Sequence, residues 1–151
     1  MIAKTLCCIL LLFGGVMHEN KIDFKSASQI VVTVQNNETT LVKGDDKFER
    51  VLDAFLTITH NAHDMPAFGV SIDSETRNAK QNGIWIEFVF GKTMMHNDMP
   101  FDALLIEVKP DYSGFNLIRK HNNKYDGRCF YFNLESDMSK LYETIKTLSL
   151  N

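Results

Sequence analysis

The chain has 151 residues, with 19 Asp and Glu against 16 Lys and Arg, a net charge of −3 and 44% hydrophobic residues. That length holds one domain, since chains divide only beyond roughly 250 residues, and the apolar content excludes a disordered tail or a collagen-like repeat. Three cysteines exclude a disulfide scaffold, and the acid excess speaks against a dedicated nucleic-acid binder.

Behind Lys4, residues 5–17 (TLCCILLLFGGVM) carry no charge, the layout of a signal peptide and too short for a transmembrane helix of about 20 residues. Ser26-Ala27-Ser28 supplies small residues for a cleavage that leaves Gln29 as the mature start, although Glu19, Lys21, Asp23 and Lys25 separate it from the apolar run. Residues 1–28 are thus a candidate signal peptide or membrane anchor ahead of a domain over 29–151. Two readings compete with it. Met17 is an alternative start, which makes the protein cytoplasmic, and 5–16 also reads as a buried core segment. The balance favours export or anchoring, with membrane contact confined to this segment. Cys129 is then the one thiol of a processed chain, and its strand-like run RCFYFNL gives it a small buried role rather than a nucleophilic one. Asn37-Glu38-Thr39 is a glycosylation sequon, relevant only on a eukaryotic secretory route.

Residues 29–35 (QIVVTVQ) are rich in β-branched side chains and stop at Asn36-Asn37, which predicts a strand, with 39–42 as its hairpin partner. Asp46-Lys47-Phe48-Glu49 has the form of a capping box, and Phe48, Val51, Leu52, Phe55 and Leu56 recur at helical spacing, so a helix is expected from Asp46 to near Asn61. Runs 67–72, 84–90, 101–108, 115–121 and 128–134 read as strands, and short links between the later ones favour antiparallel neighbours. Phe68, Val70 and Ile72 are expected on one buried face of the first. Ser136 and Asp137 open a closing helix with Met138, Leu141, Tyr142, Ile145 and Leu148 on one face. The expected fold is α+β, a two-layer sandwich of a mainly antiparallel sheet of about 5–7 strands with both helices on one face. Trp85, Val89, Ala103 and Leu105 fall on the other face, which is either partly exposed or covered by a partner.

One internal echo carries the candidate chemistry. His63-Asp64-Met65-Pro66 and His96-Asn97-Asp98-Met99-Pro100 each place Asp-Met-Pro behind a histidine and ahead of a strand. In a meander over 67–108 the first and third strands run the same way, and their starts share an edge about 10 Å apart. That gathers His60, His63, Asp64, His96 and Asp98 on one rim, a donor set suited to a divalent metal that activates water. The competing explanation is local. Histidines at a helix C-terminus meet the dipole and free carbonyls, Asp before Met-Pro is turn chemistry, and no His-Glu-x-x-His spacing occurs.

Met65, Met94, Met95 and Met99, with Trp85 and Phe101, form a candidate apolar recess at the same rim for a partner or small ligand, although methionines also fill gaps beneath loops. Arg119, Lys120, Lys124 and Arg128, with His121 and Tyr125, make a basic hairpin of the kind that grips anions; Asp126 among them favours a solvated tip. There is no Gly-rich phosphate loop, dinucleotide fingerprint, Gly-x-Ser-x-Gly elbow or Cys-x-x-Cys pair. The sequence therefore predicts a binding or interaction module for a protein or small-molecule partner, with no cofactor and no nucleic acid. The alternative is a metal-assisted hydrolase using a divalent ion on the His/Asp rim.

Overall fold

The computed structural model describes residues 21–66 and 69–149. The apolar run 5–17, with Cys7, Cys8 and Met17, lies outside the described residues, as do Ala67 and Phe68. A 3-10 turn (Phe24–Ser26) leads into β1 (Ala27–Val34), β2 (Asn37–Val42) and α1 (Asp46–Ile58). Two short strands, β3 (His63–Met65) and β4 (Val70–Ser71), precede α2 (Asp73–Ala79). Then come β5 (Ile84–His96), β6 (Met99–Glu107), β7 (Gly114–Lys120), β8 (Gly127–Arg128), β9 (Phe130–Asn133) and α3 (Ser139–Ser149). Seven strands form one antiparallel sheet in the order β2-β1-β5-β6-β7-β9-β3, and β4 pairs with β8 apart from it. The α+β sandwich is the expected one, with α1 and α3 packed on the same face.

Three two-residue turns set the registers. Gln35-Asn36, Asn97-Asp98 and Asn122-Asn123 all adopt positive φ at both positions, between His96 and Met99 in the second case and His121 and Lys124 in the third. That is the type I′ pattern, whose twist matches paired strands and which Asn and Asp tolerate best. The helix starts differ slightly from expectation. Asp45, not Asp46, is the N-cap of α1, and Glu49 Oε1 accepts from Gly44 N at 3.3 Å. Asp137 Oδ1 accepts from both Ser139 N and Ser139 Oγ, so α3 begins three residues after Ser136.

The expected strand over 67–72 and its meander are corrected. β3 lies at the far edge beside β9, and β5 pairs with β1 and β6 instead. Val70 is 71% exposed and Ile72 58% exposed, so neither contributes to a core face. This stretch leaves the sheet edge, pairs briefly with β8 and enters α2, a helix too short and polar to show a hydrophobic period. The second sheet face needs no partner at its centre. Trp85, Leu105 and Tyr125 bury one another there, beneath the 121–127 turn and α2.

The main core lies between the helices and the sheet. Phe24, Phe55 and Phe88 meet with ring centroids 4.7–5.0 Å apart, and Phe115 joins Phe55 at 5.9 Å. Phe24 and Ala27 are both buried, so the domain's core reaches upstream of Gln29. Among the described residues no helix is long and apolar enough to cross a membrane.

A chain beginning at Gln29 loses Phe24, Ala27 and the first ladder contact, Ala27 with Phe90. It should melt well below the full chain, and Phe24→Ala alone should cost about 3–4 kcal/mol of unfolding free energy. Urea denaturation of the three proteins checks this; equal midpoints would remove Phe24 from the core's essential contacts.

Candidate functional site

The proposed rim comes together only in part. His96 is 4% exposed, packs edge-on against Phe130 at 4.6 Å and meets Asp64 Oδ2 through Nε2 at 2.8 Å. β5 and β3 stand far apart in strand order, so this contact means that the sheet curls at that end, beyond the irregular pairing between Val89 and Met94. The two Asp-Met-Pro sequences are not equivalent. Asp64 sits inside β3, while Asp98 is exposed at the tip of a type I′ turn. His63 precedes Asp64 in β3 and is exposed. His60 lies beyond α1, where its Nδ1 contacts Asn61 Oδ1 at 2.7 Å. Among the described residues no three His, Cys, Asp or Glu side chains converge as metal ligands.

The methionine and aromatic candidates also disperse. Trp85 belongs to the second sheet face, where its Nε1 donates to Asn82 O at 2.7 Å. Phe101 is buried in the main core against Phe90 and Phe130. Met94 and Met99 pack partly on that core, while Met65 and Met95 remain exposed.

The basic hairpin is turned inward at two of its four cations. Arg119 donates through Nε to Arg128 O and through Nη1 to Pro100 O, both at 2.8 Å, and burial lowers its pKa. Gly127 is required beside it, with φ +101° and no room for a Cβ next to Arg119 Nη2. Lys120 Nζ reaches Glu87 Oε1 at 3.2 Å. Lys124 and Arg128 stay exposed.

Glu87 is the unexpected feature. It is a carboxylate in the middle of a central strand, 4% exposed, accepting from Tyr125 Oη at 2.8 Å. Burial first, then the charge of Glu87, pushes the Tyr125 phenol pKa far above its ordinary value. Arg77, Lys80 and Lys120 stand 5.2–5.8 Å from the Tyr125 ring centroid. Alternation along 84–90 shows Glu87 sharing a face with Trp85, which is the sequence signal for a covered second face.

An aromatic-lined cleft lies elsewhere, between the 3-10 turn, the end of α1 and the β7-β9 side of the sheet. It has a volume of about 350 Å³. Buried Phe24, Phe55, Phe115 and Phe132 line its interior, with half-buried Ile22, Leu56 and Ala62. Exposed Lys21, Lys25 and His60 stand at its mouth beside Thr59. Asn61 Nδ2 donates to Glu135 Oε2 at 2.7 Å, so Asn61 Oδ1 is an acceptor and His60 Nδ1 carries the proton it receives. Of the candidate site residues named from the sequence, only His60 lines this cleft. Lys21, Ile22, Phe24 and Lys25 fell in the assigned leader, and Phe55 and Leu56 were read only as part of a helix stripe. No protein-family model matches the chain, and neither a curated protein nor a solved structure matches it significantly.

Carboxylates with lowered pKa values tie the loops together. Asp102 accepts from Thr93 Oγ1 at 2.6 Å and Asn122 N at 2.9 Å, and faces His121 Nδ1 at 3.1 Å. Asp73 is held down by Arg77 and by the backbone N–H of Tyr125. Their folded pKa values lie below the unfolded one, so their stabilisation is complete above about pH 4–5 and is lost as pH falls further. Melting temperature should drop along that acid limb, less steeply in Asp102→Asn. Parallel limbs in the two proteins would count against the assignment. Tyr125→Phe, which removes a donor from buried Glu87, should cost about 1–3 kcal/mol in urea denaturation, and an unchanged midpoint would show the hydroxyl to be energetically silent.

Proposed function

We propose that this domain is a binding module that takes a small, largely apolar ligand in the cleft between α1 and the sheet. The observation that carries the reading is the aromatic lining of a 350 Å³ depression by Phe24, Phe55, Phe115 and Phe132. Ligand sites have volumes of roughly 300–1,000 Å³, with apolar walls and a few polar groups that orient the ligand. The rings, edge-on between Phe24 and Phe55 and stacked between Phe115 and Phe132, present apolar surface without a hydrogen-bonding demand.

The hydrolase alternative has less support. His96 and Asp64 are engaged with each other, and His60, His63 and Asp98 do not join them as a ligand set among the described residues. A binding reading also agrees with where the polar networks lie. Those around Glu87 and Asp102 connect elements of the fold, and neither shares a residue with the cleft lining.

Isothermal titration of the full chain with octanol checks the proposal. Saturable binding is expected, and Leu56→Glu, a change on the half-buried wall of the cleft, should weaken it at least about tenfold while leaving the fold intact. Absence of saturable heat with the parent protein, or equal binding by the variant, would refute it.

A further inference from the structure

We infer that the ligand of this cleft is an anionic amphiphile, a monomeric medium-chain carboxylate whose tail lies on the phenylalanines and whose head meets Lys21 and Lys25 beside His60. The inference rests on the binding reading and specifies its chemistry. Three nitrogen-bearing side chains stand at the mouth, and among the described residues no Asp or Glu lines the cleft. In a chain with more acids than bases, that local bias is opposite in sign to the whole. Lys21 and Lys25 are exposed and form no ion pair among the described residues, so both ammonium groups are available to an incoming head. Asp53 and Glu135 lie in a neighbouring outer groove that shares Lys25, Leu56 and His60 with the cleft, and neither carboxylate lines the apolar cleft itself.

His60 is aimed by its neighbours. The Glu135–Asn61–His60 chain engages Nδ1 as the proton-bearing donor to Asn61, so that nitrogen is occupied and the head is met by Lys21 and Lys25. The tail argument is independent of the charges. A cleft at the small end of ligand sites takes a medium chain, and each methylene removed from water contributes through the hydrophobic effect whatever the head. The head therefore decides selectivity and the tail supplies affinity.

The test compares octanoate, octanol and octyltrimethylammonium, which share one tail, by titration into the full chain at low and high salt. Octanoate should bind about tenfold more tightly than octanol at low salt, with the cation weakest. The preference should shrink at high salt and vanish in Lys21→Gln/Lys25→Gln, whose melting temperature should match the parent's. Equal affinities for octanoate and octanol would overturn the anionic ligand and leave the cleft as a binding site. So would a preference that survives the double substitution. Silence from all three ligands would overturn both readings and leave the cleft to another occupant, the chain's own residues 5–17 among them.

Discussion

A carboxylate in the middle of a sheet must be answered, because an unpaired charge in a protein interior costs several kcal/mol. Glu87 imposes that demand on the second face of this domain. Its partners are Tyr125 in the 121–127 turn, Lys120 in β7 and Lys80 after α2. Satisfying one side chain thus draws the 121–127 turn and the end of α2 over one patch of sheet, with β7 supplying a third partner from within it. Asp73 and Asp126 complete the attachment. The Asp126 carboxylate accepts from Asp73 N, and Asp73 accepts from Tyr125 N. α2 has no side-chain cap from Ile72, so Asp126 supplies across the chain what an N-cap residue would supply locally.

The opposite face is organised by apolar area and ring geometry. Phe24, Phe55 and Phe88 contribute edge-to-face and tilted contacts between the N-terminal turn, α1 and β5. Their packing is directional enough to fix where the chain enters the sandwich. The same rings leave the cleft, because the 3-10 turn and the end of α1 converge on Phe55 without closing over Phe115 and Phe132. Core and cleft are therefore continuous, and on the proposed binding reading a ligand would complete the hydrophobic layer rather than sit apart from it.

The polar constellations that drew attention in the sequence work mainly for the fold. His96 and Asp64 join the end of β5 to a three-residue edge strand that has little else to hold it. Arg119 ties β7 to the start of β6 and to β8 through carbonyls. Chemistry-bearing residue types at a strand end can be structural whenever a curled sheet brings distant ends into contact.

The sequence by itself determined the class and most of the elements. Periodicities of two and 3.6 are local properties, and β1, β5, β6, β7, α1 and α3 follow from them, as does the antiparallel arrangement implied by short turns. The doublets Gln35-Asn36, Asn97-Asp98 and Asn122-Asn123 also carry their type I′ geometry locally. Only the tertiary structure decided strand order, the path through 63–72, and the company each polar side chain keeps. Two Asp-Met-Pro sequences alike on paper became a strand and a turn, because pairing with β9 captured one and a hairpin captured the other. The cleft was invisible for the same physical reason. It is built from Lys21, Ile22, Phe24 and Lys25, from residues at the end of and just beyond α1, and from Phe115 and Phe132, which no local pattern relates and only the packing of α1 against the sheet brings together.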